Sequence, residues 1–406
     1  MTSPAVSSPL PAPDTAGAVR AAVTLLALAS FFSGAALRIC DGLLPRLASD
    51  FAITPGAAGS VVLTFAVAYG VSQLGFGPLG DRYGKARVIT VALWACALGA
   101  LACALAPGFD ALVRLRVLWG VAAGGVIPLA LAWVGDAVAY EQRQATLARL
   151  LMGILSGMAA GQLAGGVFAD SALGWRGAFG ALCAGYVVVA VLLSVRLRGI
   201  PAAPPSQGTG RFAFVGQLGS VLAVPWARVV VGAALAEGIF LLGPMAYLPA
   251  YLHQRFGTAL SAASAMIALY AVGGLVYAMV ARHIVQRFGE RRMVWWGGVI
   301  MGVGFAAWYA TPVAWVAAPV ALAAGFGTYL FHNTLQTNAT QMTPAIRGTG
   351  TALFAFCLFV GQAIGVSLAG WAFDHAGALP LLLVPAAALP LLGWGFAGAL
   401  RRRAQA

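Results

Sequence analysis

Charge is what this chain has least of. Of its 406 residues only 9% are Asp, Glu, Lys or Arg, while 61% are hydrophobic. A soluble protein of this size needs far more charge to cover its surface. Lys85 is the sole lysine. It sits in Gly84-Lys85-Ala86, whereas a phosphate-binding loop requires Gly-Lys-Ser/Thr, so ATP drive is excluded. The five cysteines (Cys40, Cys96, Cys103, Cys183 and Cys357) lie singly in apolar runs. They read as small core residues, with no spacing for a disulfide framework or a metal site. There is no His-Glu-x-x-His and no Gly-x-Ser-Gly, and His253, His283 and His375 fall at the ends of apolar runs. An intramembrane enzyme would need such a constellation, so neither a catalytic residue, a metal nor a cofactor is expected. No loop is long enough for a sensor domain, which argues against a receptor or channel.

What is present is a series of continuous apolar runs of about twenty residues, each long enough to cross a bilayer as a helix. A transmembrane barrel would instead show segments of about ten residues with alternating polarity. Twelve spans are predicted, at roughly 19–45, 57–77, 88–107, 111–135, 147–169, 176–197, 228–252, 262–282, 293–311, 314–338, 348–372 and 379–400. The fold class is therefore all-α integral membrane. Residues 1–18, rich in Pro, Ser and Ala, read as a disordered tail, and a cleaved signal peptide is not expected. The first six spans make one bundle over 19–197 and the last six a second over 227–400, with a short tail at 401–406. The intervening 198–226 reads as a linker, Pro-, Gly- and Ser-rich over Gly199 to Arg211. Residues 212–226 are apolar but too short to span, and read as an interfacial segment or a lead-in to the seventh helix.

The net charge of +13 is a matter of topology. Most basic residues fall in the loops on one side, Arg82, Lys85, Arg87, Arg143, Arg149, Arg291, Arg292 and Arg347 among them, and at both termini. The opposite side keeps Arg46, Arg176 and Arg255. That asymmetry predicts a multi-pass protein of the cell inner membrane with both termini cytoplasmic. No basic patch is left over for nucleic acid. The halves also repeat. Asp81-Arg82-Tyr83-Gly84-Lys85-Ala86-Arg87 recurs as Gln286-Arg287-Phe288-Gly289-Glu290-Arg291-Arg292, and Gly161-Gln162-Leu163-Ala164-Gly165 as Gly361-Gln362-Ala363-Ile364-Gly365.

The polar island between the second and third spans reads Gly77-Pro78-Leu79-Gly80-Asp81-Arg82-Tyr83-Gly84-Lys85-Ala86-Arg87. It resembles the signature of the major facilitator superfamily, Gly-x-Leu-Ala/Gly-Asp-Arg-x-Gly-Arg/Lys, and every defined position matches. The resemblance implies two parallel six-helix repeats related by a pseudo-twofold axis. It also implies a cytoplasmic gating loop. There Asp81 would accept hydrogen bonds from a helix start near residues 347–350 in the other half, and Asp136 could pair with Arg82. The bland reading is a solvated turn that only sets topology.

Further motifs point to the drug/proton antiporter branch. Leu112-x-x-x-Arg116-x-x-x-Gly120 resembles its fourth-helix motif, in which Arg116 would hold a carboxylate or substrate; the other reading is snorkelling to the interface. Asp41-x-x-x-Pro45 resembles its first-helix pattern. Arg38 and Asp41, three residues apart, share a helix face, either as a proton acceptor with its tuning cation or as a self-satisfied ion pair. Gly157-x-x-x-Gly161-Gln162-x-x-Gly165-Gly166 resembles its fifth-helix motif, which shapes a close crossing with the eighth helix. Gln162 stands where that motif has proline, so a kink there is in doubt. Glu237 is the one acid in the apolar body of the second half. A lone intramembrane acid is a functional candidate by default, with Arg116 as a possible partner. His332, Asn333, Gln336 and Asn338 form a polar cluster on the tenth helix that would be expensive unless it lined water. The expectation is an alternating-access efflux antiporter, monomeric, moving small organic or amphipathic solutes against protons. A proton symporter or a uniporter importing a small metabolite is the alternative.

Overall fold

The computed structural model describes residues 13–196 and 211–405, which are helical apart from short turns. Eleven of the helices are long and apolar enough to cross a membrane. The longest, Leu260–Ala310, is two helices joined across Gly289, whose φ of 69° and ψ of 163° leave the helical region. Twelve spans result among the described residues. We label them α1 (Pro13–Phe51), α2 (Pro55–Tyr83), α3 (Lys85–Ala104), α4 (Phe109–Ala137), α5 (Tyr140–Asp170) and α6 (Gly174–Arg196) in the first half. The second half holds α7 (Pro225–Phe256), α8 (260–288), α9 (290–310), α10 (Ala317–Gln341), α11 (Arg347–His375) and α12 (Ala378–Gln405). The molecule is an all-α integral membrane protein of two pseudo-twofold-related six-helix bundles.

The repeat seen in the sequence is a repeat of backbone. Gly84 (φ 87°) separates α2 from α3, and Gly289 separates α8 from α9. Left-handed φ at both positions is open to glycine and strained for other residues. The expected linker over 198–210 lies outside the described residues apart from their edges. The segment left ambiguous by sequence forms a separate helix, Arg211–Ala223, which stops at Val224 before Pro225 opens α7. It is docked by Thr349 at the start of α11, whose Oγ1 donates to Gln217 Oε1 at 2.8 Å. The expected tail at 1–18 lies largely outside the described residues, and α1 already runs from Pro13.

Between helices in lipid the hydrophobic effect gives no net pull, so association depends on close packing. The glycine ladder of α5 does this against α1. A Cβ on Gly157, Gly161 or Gly165 would lie 2.0, 2.3 and 2.1 Å from the carbonyl oxygens of Phe31, Ala35 and Ile39. Those contacts advance four residues at a time on both helices, along one ridge. The second half repeats the arrangement: a Cβ on Gly361 or Gly365 would meet the carbonyls of Leu235 and Ile239 at 2.2 and 2.4 Å. The fifth-helix motif, expected to serve the crossing with α8, thus serves chiefly the crossing with α1. Gly166 alone of the set turns to α8, where Leu260 O and Ser264 Oγ lie 2.4 and 2.5 Å from its Cβ position.

Gly161→Val and Gly365→Val are expected to destabilise each half by about 1–3 kcal/mol, since backbone cannot retreat from an added side chain. Gly180→Ala, with nothing within 4 Å of its Cβ position, is the silent control. Thermal unfolding in detergent micelles checks all three.

Candidate functional site

Each half holds one buried polar pair. In α1, Arg38 Nη1 lies 3.1 Å from Asp41 Oδ2, with side chains 7% and 1% exposed. The three-residue spacing is what brings them together on one helical face. Asp41 Oδ1 has no hydrogen-bond partner and is sealed from solvent.

In the second half Glu237 is the last α-helical residue before a π-helical turn, Gly238–Leu242. Such turns interrupt the helical ladder and recur at functional sites. Gly238 lets this turn press on α11, its Cβ position 2.2 Å from Leu358 O. Glu237 is buried, and both its oxygens lie 3.0 Å from Nδ1 of His332 in α10. The expected partner, Arg116, is therefore replaced by His332. His332 is the wetter member, its side chain 20% exposed against 1% for Glu237, and its ring packs on Tyr329 and Phe354. Arg38 and Glu237 both lie within electrostatic range of the Tyr270 and Tyr329 hydroxyls.

Arg116 takes a different role from the one expected. Its Nε donates to the Val61 carbonyl at 3.0 Å, and its guanidinium stands 3.9 Å over Phe65 and 4.8 Å from the Trp119 ring centroid. Cation–π attraction of this kind is strongest where water is excluded, and Arg116 is 1% exposed. It is a fixed cation behind Asp41, which feels its charge, and makes no ion pair among the described residues. Sequence reasoning missed its ring partners Phe65 and Trp119; the one local signal was Trp119, three residues on.

The remaining α10 candidates divide. Asn333 Nδ2 donates to Tyr277 Oη at 3.0 Å. Gln336 is exposed, one turn from His332 on the same face. Asn338 is buried and structural: its Nδ2 donates to Glu290 Oε2 at 3.0 Å, and its Oδ1 accepts from Arg403 at 3.3 Å. Gln162 is buried in α5 with its amide nitrogen unpartnered. No group of three metal-ligating side chains occurs among the described residues.

At the gating motif Lys85 Nζ bridges two carboxylates, Asp81 at 3.1 Å and Asp136 of α4 at 2.5 Å. Asp136 had been expected to pair with Arg82, whose guanidinium instead lies over Tyr83. Gly77 and Leu79 lie along the end of α2, and Gly80 lets that end rest on Leu129, 2.5 Å from its Cβ position. Among the described residues no hydrogen bond joins Asp81 to 347–350. The hydrogen bonds found between the halves lie at the opposite end, on Asp170, Asp374 and Tyr247.

The profile of the Major Facilitator Superfamily matches residues 26–366 and 244–403. The chain belongs to that superfamily. Among similar members, the uncharacterized MFS-type transporter YceJ of Bacillus subtilis (strain 168) is 24% identical over 86% of this chain and 89% of its own length. The multidrug export protein EmrB of Haemophilus influenzae (strain ATCC 51907 / DSM 11121 / KW20 / Rd) is 29% identical over 39% of this chain and 31% of its own. The crystal structure of a D-xylose-proton symporter superposes with a TM-score of 0.75 at 15% identity, covering 93% of this chain and 96% of that one. This Major Facilitator Superfamily member is accordingly a multi-pass transporter of small molecules, and members of the superfamily are not enzymes.

What the site can do follows from its groups. A carboxylate touching an imidazole exists either as acid with neutral ring or as carboxylate with imidazolium, and takes up a second proton only with a change of net charge. Removing His332 strands Glu237 in a dry place. His332→Ala is expected to destabilise by about 1–3 kcal/mol, and His332→Ala combined with Glu237→Gln to cost less than the sum. A double-mutant cycle on unfolding should return a coupling of about 0.5–3 kcal/mol.

Proposed function

We propose that this chain is a proton-coupled efflux antiporter of small organic or amphipathic solutes, working by alternating access. In this reading the Asp81 end and both termini lie in the cytoplasm, and the chain acts as a monomer in the cell inner membrane. The observation that carries it is the Glu237–His332 contact, buried on the acid's side and partly exposed on the ring's. Arg38–Asp41 sits across from it in the other half. A proton arriving from water meets His332 first and passes to Glu237. On the facing half, Asp41 keeps one oxygen free for a proton or a donor group of the solute.

A proton can drive the cycle only if it binds one state better than the other. In this reading the surroundings of the two pairs differ between the two states. Export is supported by the Asp41-x-x-x-Pro45 and Arg116 motifs and by the partial match to a multidrug export protein. The basic bias of the Asp81 side supports the orientation. His332, Asn333 and Gln336 offer the polar wall of the solute path, with Tyr329 and Phe354 as its aromatic wall.

Proteoliposomes with an imposed pH gradient test the proposal against a panel of solutes. Glu237→Gln and Asp41→Asn are each expected to reduce gradient-driven accumulation roughly ten-fold or more, as loss of an essential proton-transfer group does. Solute exchange at equal pH should survive. If both variants still concentrate solute, the proton travels elsewhere. If solute moves with the proton and not against it, the protein is a symporter.

A further inference from the structure

Of the acids at the end opposite Asp81 that a proton pathway through Glu237 and Asp41 does not use, two make hydrogen bonds to the other half. Asp170 closes α5, and Asp374 stands one residue before the end of α11. Neither pairs with a cation among the described residues; each reaches instead across to the other half. Asp170 Oδ1 and Oδ2 accept from the backbone N–H groups of Leu260 and Ser261, at 3.2 and 2.8 Å, at the start of α8. Asp374 Oδ1 accepts from the backbone N–H of Gly56 at 2.9 Å, and Oδ2 from Thr54 Oγ1 at 2.5 Å, at the start of α2.

The two contacts join the same kinds of element, with Asp374 one turn beyond the repeat position of Asp170. α5 and α11 are equivalent in the repeat, as are α2 and α8. Each half contributes one acid and one helix start. Only glycine fits at 56: a Cβ there would lie 2.2 Å from Asp374 Oδ2 and 2.4 Å from the Gly370 carbonyl. Tyr247 from α7 reinforces this site, its hydroxyl donating towards the carbonyls of Val366 at 3.2 Å and Gly56 at 3.4 Å.

We propose that Asp170 and Asp374 form a paired clasp, one acid from each half, that holds the halves shut at the end opposite Asp81, and that releasing it lets that end open. The proposal rests on the alternating-access reading. A carboxylate on a helix start is stabilised by free N–H donors and the helix dipole. Once the halves part, both acid and N–H groups meet water, so the bonds reform readily and bias the equilibrium without locking it. Bonds made in one state alone shift the populations by their full strength. At the Asp81 end, Asp81 is held by Lys85 within its own half, and among the described residues no hydrogen bond crosses between the halves there.

Amide hydrogen exchange on the full chain in lipid nanodiscs tests this, without solute or gradient, so a failure of the clasp is separable from a failure of proton coupling. Asp170→Ala is expected to raise exchange at 260–263, where it loses its bonds, and also at 54–59, where it never touched the chain. Asp374→Ala should do the converse, and the double variant should exceed both. The remote increase should be about two- to five-fold, the population shift that one such helix-start contact supports. If either alanine variant fails to fold, Asp170→Asn and Asp374→Asn, which keep one acceptor oxygen, should give smaller increases at both places. Increases confined to each acid's own amides would reduce the pair to local helix caps and overturn the proposal.

Discussion

An ionised group carried into a bilayer has to be matched inside the protein, because lipid offers it neither water nor hydrogen bonds. This chain carries few charges, and the structure pairs both buried acids within their own half. Arg38 holds Asp41 three residues away on one helix, and His332 of α10 holds Glu237 of α7. Arg116 is surrounded by its own half's Phe65, Trp119 and Phe179. The polar contacts between the halves are of another kind: carboxylates on backbone N–H groups at helix starts, and one tyrosine hydroxyl on backbone carbonyls. Both buried acids thus find their partner inside their own half, while Arg116 has only aromatic faces and one carbonyl, its Nη1 unpartnered.

Rigidity within each half has a separate source. The glycine ladders of α5 on α1 and of α11 on α7 bring backbone onto backbone, where dispersion and Cα–H···O contacts replace the missing hydrophobic drive. In the first half an aromatic cluster of Phe65, Trp119, Phe179 and Tyr186, with centroids 5.7 to 6.2 Å apart, fills the space behind. On α7 the contact runs through the π-helical turn after Glu237, where Gly238 and Gly243 keep the backbone against α11.

Much of this was legible because it is local. Span length, the Gly84 and Gly289 breaks, the repeat and the Arg38–Asp41 pair all depend on residues near one another in the chain, where periodicity and turn chemistry apply. The Asp81 stretch named its family on residue types alone. What could not be read was which helix faces which. Glu237 and His332 were each singled out, yet 95 residues separate them, and no pattern in either span announces the other. Arg82 was preferred to Lys85 as the partner of Asp136 because either cation reaches in sequence terms; only the fold of α4 beside α3 decides. Asp170 and Asp374 drew no notice, since an acid at the end of a span reads as an interfacial group. The repeat gave a partial signal: the two acids end equivalent helices, but Asp170 aligns with Gly370 and Asp374 lies one turn further on.

The scarcity of lysine leaves Lys85 as the one side-chain amine in the chain, and it is the shared counter-ion of Asp81 and Asp136. An acylating reagent that seeks such amines would meet a single target here. Acetylation would erase the cation and leave two carboxylates facing each other across its stem. The loop's grip between α2 and α4 thus hangs on one nitrogen, and a modification too small to disturb the rest of the bundle would turn that attraction into repulsion.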